Sequence, residues 1–182
     1  MSKQQGQVVL LSLGSNIGGR RAHMAAGIDA LLALPGMTFL KVSRLYETEA
    51  WGGPEGQGSF LNAALLLRSE HLSPMALLTE ILKIEAAEGR VREITNGPRT
   101  LDIDILLWGQ STVKIDHLQI PHVGLHERSF VLQPAAEIAG DMDHPLAQST
   151  IAELCQRVGS NGLIQIIQER GWYHALGQST CQ

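Results

Sequence analysis

The chain has only two cysteines, Cys155 and Cys181, far apart and with no Cys-x-x-Cys pair, which gives no basis for a disulfide framework, a zinc knuckle or a dithiol redox centre. An apolar leader is also missing: Met1-Ser2-Lys3-Gln4-Gln5-Gly6-Gln7 is polar, and no later stretch approaches the length of a membrane span. A soluble, cytoplasmic protein is the expectation. The net charge is -4 and no basic stripe or Lys-rich helix is visible, which argues against general nucleic-acid binding. Two nucleotide signatures are absent as well. Gly14-Ser15-Asn16-Ile17-Gly18-Gly19 lies where a phosphate loop could sit, but it has neither the Gly-Lys-Ser/Thr of a P-loop nor Gly-x-Gly-x-x-Gly. Any nucleotide must then be held by metal ions and arginines, not by a backbone cradle.

What is present is an ordinary globular composition, 44% hydrophobic and 18% charged, with no low-complexity run. At 182 residues the chain suits one well-filled domain. Residues 8–13 form an apolar run that reads as a central buried strand. Residues 22–34 place Met24, Ile28, Leu31 and Leu32 at helical spacing before Pro35-Gly36. Residues 39–46 alternate as a strand, residues 48–59 form a glycine-rich loop, and residues 60–68 return as a partner strand. Ser73-Pro74 supplies an N-cap and first-turn proline for a helix through Ala87 with a Leu77, Leu78, Ile81, Ile84 stripe. The Asp-x-Asp strand, a turn at Gly109-Gln110-Ser111, a shorter strand around 113–120, and helices at 130–138 and 151–158 follow. The order predicts a ferredoxin-like β-α-β-β-α-β fold of the α+β class, mainly antiparallel, with helices packed on the sheet and extra C-terminal helices.

The stretch Gly97-Pro98-Arg99-Thr100-Leu101-Asp102-Ile103-Asp104-Ile105 carries the chemistry. In a strand, Leu101, Ile103 and Ile105 enter a core while Asp102 and Asp104 share the other face, about 6.6 Å apart along the backbone. Two carboxylates at that spacing invite a hard cation such as Mg²⁺, which keeps waters and takes further ligands from substrate phosphates. Read alone, the same alternation also fits a strand with one wet face. Arg90, Arg92 and Arg99 lie just upstream, and guanidinium forks match phosphate oxygens, so the group has the equipment of phosphoryl transfer. His122 and His126 are four apart, but Pro121 precedes them and no third ligand is evident, so zinc is not expected.

With these residues, and with Leu13-Gly14-Ser15-Asn16, Phe60-Leu61-Asn62-Ala63-Ala64, Gly89-Arg90-Val91-Arg92 and Pro121-His122 followed by Arg128-Ser129-Phe130, the chain resembles the 6-hydroxymethyl-7,8-dihydropterin pyrophosphokinase family from about Val8 to Arg157. The resemblance implies an ATP- and Mg²⁺-dependent transfer of pyrophosphate to the hydroxymethyl group of the reduced pterin, giving AMP, in folate biosynthesis. It implies that Asp102 and Asp104 hold two Mg²⁺ ions and that Arg90 and Arg99 act as catalytic arginines. It places the pterin against Thr48, Trp51, Phe60, Asn62 and Phe130, and ATP against Glu85, Arg92, His122 and Arg128. The partners are then the two small molecules, with no nucleic acid or membrane, and the working unit is a monomer.

Residues 7–158 are expected as the pyrophosphokinase core of a single domain, 1–182, with 159–182 an extension of unassigned role. Asn96 stands where members often carry a Trp that closes over the site. Glu49 and Ala50 replace frequent prolines, Leu82 replaces a polar residue, and Val123 replaces an aromatic after His122. The loops at 48–59 and 90–98 are expected to close over the site. A metal-dependent nucleotidyl transferase or phosphohydrolase, and a ligand-sensing module without turnover, are the rival classes. The last needs no combination of Asp102, Asp104 and the arginines.

Overall fold

The computed structural model describes residues 6–91, 96–167 and 171–174. At its centre lies β1 (Gln7–Ser15), paired antiparallel with β4 (Phe60–Ser69) on one side and β5 (Asp102–Trp108) on the other. Beyond β4 come β2 (Met37–Val42), β3 (Leu45–Thr48) and, outside β3, β10 (Leu163–Ile167), all antiparallel.

The run at 8–13 is apolar at every position but Ser12 because β1 is buried on both faces. Val9, Leu11 and Leu13 enter one core with Met24, Ile28 and Leu31 of α1 (Arg20–Leu32) and Leu77, Ile81 and Ile84 of α2 (Pro74–Ala87). Leu10 enters a second with Ala64, Leu66 and Leu106, under Val131, Leu132 and Ala135 of α3 (Ser129–Ala139) and Ile151 and Leu154 of α4 (Ile151–Val158). Helices cover both faces of the sheet. The expected start of α2 is as read: Pro74 opens it and the Ser73 side chain accepts from Ala76 N at 3.2 Å.

Three local expectations are corrected. Residues 39–46 are not one strand: β2 and β3 pair with successive parts of β4, and the break at Ser43 is held by Ser43 N donating to Ala64 O and Ala64 N donating to Ser43 Oγ, both 2.9 Å. The stretch at 113–120 is a separate hairpin of β6 (Val113–Ile115) and β7 (Leu118–Ile120). The tail is not only helical, since β10 completes the sheet edge and Trp172 and Tyr173 enter the first core. Trp172 Nε1 donates to Ser43 O at 2.7 Å, so the tail is bonded to the β2–β3 break.

Glu137 ties α3 to that same break. It accepts from Tyr46 OH at 2.7 Å and from Arg44 Nε at 3.2 Å, and burial, then this hydrogen bond, pushes the Tyr46 phenol above its ordinary range. The helix that carries Phe130 is thereby fixed against β3, which carries Thr48.

Candidate active site

One sheet face changes character along its length. Under α3 and α4 it carries Leu10, Ala64, Leu66 and Leu106; two and four residues along the same strands it carries Ser12 and Gly14, Asn62 and Phe60, and Asp104 and Asp102. The register sets Ser12 opposite Asp104 and Gly14 opposite both Asp102 and Asn62. These side chains floor a cleft whose walls are Thr48 and Trp51, Arg99, and Arg128 with Phe130 at the start of α3. Ile103 and Ile105 point the other way into the first core, each 3% exposed, as the alternation requires.

The two carboxylates have different company. Arg90 Nη1 lies 2.5 Å from Asp102 Oδ1, and Arg99 Nη1 lies 2.5 Å from Asp102 Oδ2. Arg90 also pairs with Glu85, which is 2% exposed and accepts from Ile103 N at 2.8 Å, so Glu85 binds the arginine and the acidic strand together from below. Asp104 meets His122 Nε2 at 3.9 Å. Gly124 N donates to His122 Nδ1 at 3.1 Å, which leaves the Nε2 proton of the neutral ring toward Asp104. Desolvation on the cleft floor, then the charge of Asp102, push the Asp104 carboxyl up; His122, Arg90 and Arg128 oppose this.

The other side of the cleft is aromatic and amphipathic. Asn62 Nδ2 donates to Thr48 Oγ1 at 2.8 Å, which fixes the amide and leaves its Oδ1 as an acceptor beside Gly14. Phe60 lies under the Arg99 guanidinium at 5.9 Å and Phe130 under that of Arg128 at 6.0 Å. Trp51 tilts against Phe130 with ring centres 6.0 Å apart, while 54% of it is exposed.

The two flanking loops touch over the cleft. Gln57 Nε2 donates to Asn96 O at 3.0 Å and to Gly52 O at 3.1 Å. Asn16 Oδ1 accepts from Arg99 N at 2.7 Å while Asn16 Nδ2 donates to Gly58 O at 3.3 Å, joining the turn after β1 to both loops. The feet of the first loop are bound by Glu47, which accepts from Ser59 Oγ at 2.7 Å, Gln165 Nε2 at 2.6 Å and Arg20 Nη1 at 3.0 Å; these bonds hold its carboxyl below the usual range.

The donor set is of the kind a hard divalent ion takes: its atoms are carboxylate oxygens, and Asp104 carries a charge its surroundings disfavour. Asp102 would join only as the guanidinium groups of Arg90 and Arg99, now on its two oxygens, turn to phosphate. Among the described residues no group of three or more His, Cys, Asp or Glu side chains gathers for a metal; an ion held by the two carboxylates would take its other ligands from water and substrate oxygens.

Residues 10–140 match the profile of the 7,8-dihydro-6-hydroxymethylpterin-pyrophosphokinase family. The chain belongs to this family. The 2-amino-4-hydroxy-6-hydroxymethyldihydropteridine pyrophosphokinase of Methylorubrum extorquens is 41% identical over 156 residues, covering 86% of this chain and 96% of that protein. The enzyme of the same name from Pseudomonas aeruginosa is 40% identical over 139 residues, covering 76% and 85%. A crystal structure of a Plasmodium falciparum HPPK-DHPS triple mutant superposes with a TM-score of 0.67 at 15% identity, which shows a shared fold; the match covers 86% of this chain and 44% of that one, under half its length.

The family resemblance and α+β fold read from the sequence are therefore borne out. Of the expected site residues, Thr48, Trp51, Phe60, Asn62, Arg99, Asp102, Asp104, Arg128 and Phe130 line the one cleft. Arg90 reaches it through Asp102, His122 stands beside Asp104, and Glu85 lies behind both, turned into the fold. Arg92 lies outside the described residues. The roles of Asn16 and Gln57 as links between the loops were not foreseen; the turn motif Leu13-Gly14-Ser15-Asn16 was the one available signal for the first.

Proposed function

We propose that this chain transfers the pyrophosphoryl group of ATP to 6-hydroxymethyl-7,8-dihydropterin, releasing AMP and the pterin diphosphate, and that it does so with the residues of this cleft. The observation that carries the reading is a single cleft in which an acidic pair lies with an amide fixed by Thr48 and with the rings of Phe60, Phe130 and Trp51. In the reaction the pterin hydroxyl oxygen bonds to the β-phosphorus, the bond from that phosphorus to the oxygen bridging it to the α-phosphorus breaks, and the hydroxyl proton is lost.

Asn62 and Thr48 read the polar edge of the bicycle, and Phe60 and Phe130 take its faces, with Trp51 at the rim. Two Mg²⁺ ions, held by Asp102 and Asp104 and by phosphate oxygens, would supply charge neutralisation and acidify the attacking hydroxyl. Arg99 spans Phe60 and Asp102, and so sits between acceptor and phosphates; it neutralises charge on the transferred group. Arg90, aimed by Glu85, does the same from the nucleotide side. His122 presents its Nε2 proton and Arg128 its guanidinium to the triphosphate, and Arg92 adds a further nucleotide contact. The contacting loops exclude water, which favours transfer over hydrolysis.

The described cleft draws all its lining residues from one chain, in keeping with a monomer as the working unit. No described helix is long and apolar enough to cross a membrane; use of ATP as co-substrate is in keeping with a cytoplasmic setting. Incubation with ATP, Mg²⁺ and the hydroxymethyl-dihydropterin tests the reading. AMP forming in step with the pterin diphosphate is the expected result; ADP, or hydrolysis indifferent to the pterin, overturns it.

A further inference from the structure

The chain after α4 does more than complete the sheet. Its turn at 159–162 is bonded to two walls of the cleft that are far apart in sequence. On the β3 side, Glu49 N donates to Gly162 O at 3.0 Å, and Leu163 pairs with Thr48. On the α3 side, Ser129 Oγ donates to Asn161 O, and Gln133 Nε2 donates to Gly159 O at 3.0 Å. Thr48 and Phe130 are the neighbours of Glu49 and Ser129, so each wall of the acceptor site is one residue from a bond to the same turn. Between turn and walls lies a cavity of about 210 Å³ lined by Glu49, Ala50, Trp51, Phe130 and Gly162.

We propose that the turn at 159–162 is a positioning element for the acceptor, a strut that sets the separation between the Thr48 wall and the Phe130 wall. The inference rests on the cleft being the pterin site. A flat ring is bound well only where its faces and its hydrogen-bonding edge are met together, and those groups come from separate elements here. The strut joins them from behind. The cavity leaves the Trp51–Phe130 pair room to adjust as a ring enters, while the backbone bonds to Glu49 and Ser129 hold the frame. On this basis the turn governs pterin affinity without contact with the pterin, and leaves the nucleotide side unaffected.

Two variants disturb the strut from opposite ends. Ser129→Ala removes the donor to Asn161. Gly162→Ala adds a Cβ that meets no atom within 4 Å, so it acts only through the φ of +75° that the turn requires. Each is expected to raise KM for the pterin about three- to tenfold, with kcat and KM for ATP within about twofold, as expected for roughly 1 kcal/mol of lost ground-state binding. In the unaltered protein, amide exchange at Glu49 is expected to slow when the pterin binds, a measurement independent of how the variants fold. An unchanged pterin KM in both variants, a parallel rise in KM for ATP, or Glu49 exchange indifferent to pterin overturns the proposal. Wild-type protein that forms no pterin-dependent AMP overturns the functional reading itself, and the strut falls with it.

Discussion

Asp102 and Asp104 project from the same face of β5, yet Asp102 has a guanidinium nitrogen 2.5 Å from each of its oxygens, whereas Asp104 meets a histidine nitrogen at 3.9 Å. The first carboxylate is neutralised by the protein; the second carries charge that burial and its neighbour oppose. Such a pair is electrostatically uneven, and Asp104 is the carboxylate with charge to spare for a cation.

Asp104→Asn is therefore expected to separate stability from activity. The folded carboxyl holds its proton above the ordinary 3.8, so just above that pH the native state binds more protons than the unfolded chain, and stability declines as pH rises through the elevated value. The variant loses this decline: in EDTA its melting midpoint at neutral pH is expected to equal or exceed that of wild type. Its kcat is expected to fall on the order of 10²–10⁴-fold, equivalent to several kcal/mol of lost charge stabilisation. Thermal melts between about pH 4 and 8 and steady-state kinetics check both halves; a variant with wild-type turnover would refute the metal role.

Thr48→Val keeps the side-chain shape and removes the acceptor for Asn62 Nδ2. The amide is then free to turn from the acceptor edge and is left with an unpaired buried donor. KM for the pterin is expected to rise about fivefold to tenfold, with a loss of about 1–3 kcal/mol in stability. Paired kinetics and denaturant titration measure these, and an unaltered pterin KM would show that Asn62 does not read the ring.

Gly53→Ala tests the contact between the loops. Gly53 has φ +79°, and a Cβ there would lie 2.2 Å from Asn96 O and 2.5 Å from Gln57 Nε2, so the variant forces the loops apart. Because the loop is exposed, the melting midpoint is expected to change little while kcat/KM falls about tenfold, 1.4 kcal/mol in the transition state. Unchanged kinetics would mean that the contact plays no part in turnover.

Trp172→Ala tests whether the tail is part of the folded core. The indole is 5% exposed, packs in the first core and donates to Ser43 O. Its loss is expected to cost about 3–5 kcal/mol, read as a shift of the denaturation midpoint. A midpoint within experimental error of wild type would mark the tail as peripheral.

Much of this was legible without coordinates because it depends on short-range periodicity. The period-2 alternation from Leu101 to Ile105 dictated which residues enter the core and which form an acidic pair, and the structure keeps that division. Ser73 and Pro74 announced the start of α2 because capping is a local bond. The break at Ser43 left no comparable mark. It is decided by which part of β4 each half pairs with, and by hydrogen bonds to Ala64, 21 residues away. Residues 163–167 are short and apolar enough to read as strand or helix; only the free edge of β3 makes them a strand.

By itself the sequence determined the family, the acidic strand, the arginine-bearing loop and the aromatic and amide residues that line the cleft, because each is written in residue type and local spacing. Tertiary structure decided what those groups do to one another: that Glu85 faces inward and pairs with Arg90, that Asp102 is neutralised while Asp104 is not, that Asn16 bonds to Arg99 and Gly58, and that the turn at 159–162 bonds to Glu49 and Ser129. Hydrogen bonding and Coulomb energy depend on distances between residues brought together by the sheet, and chain order does not contain those distances until the sheet has formed.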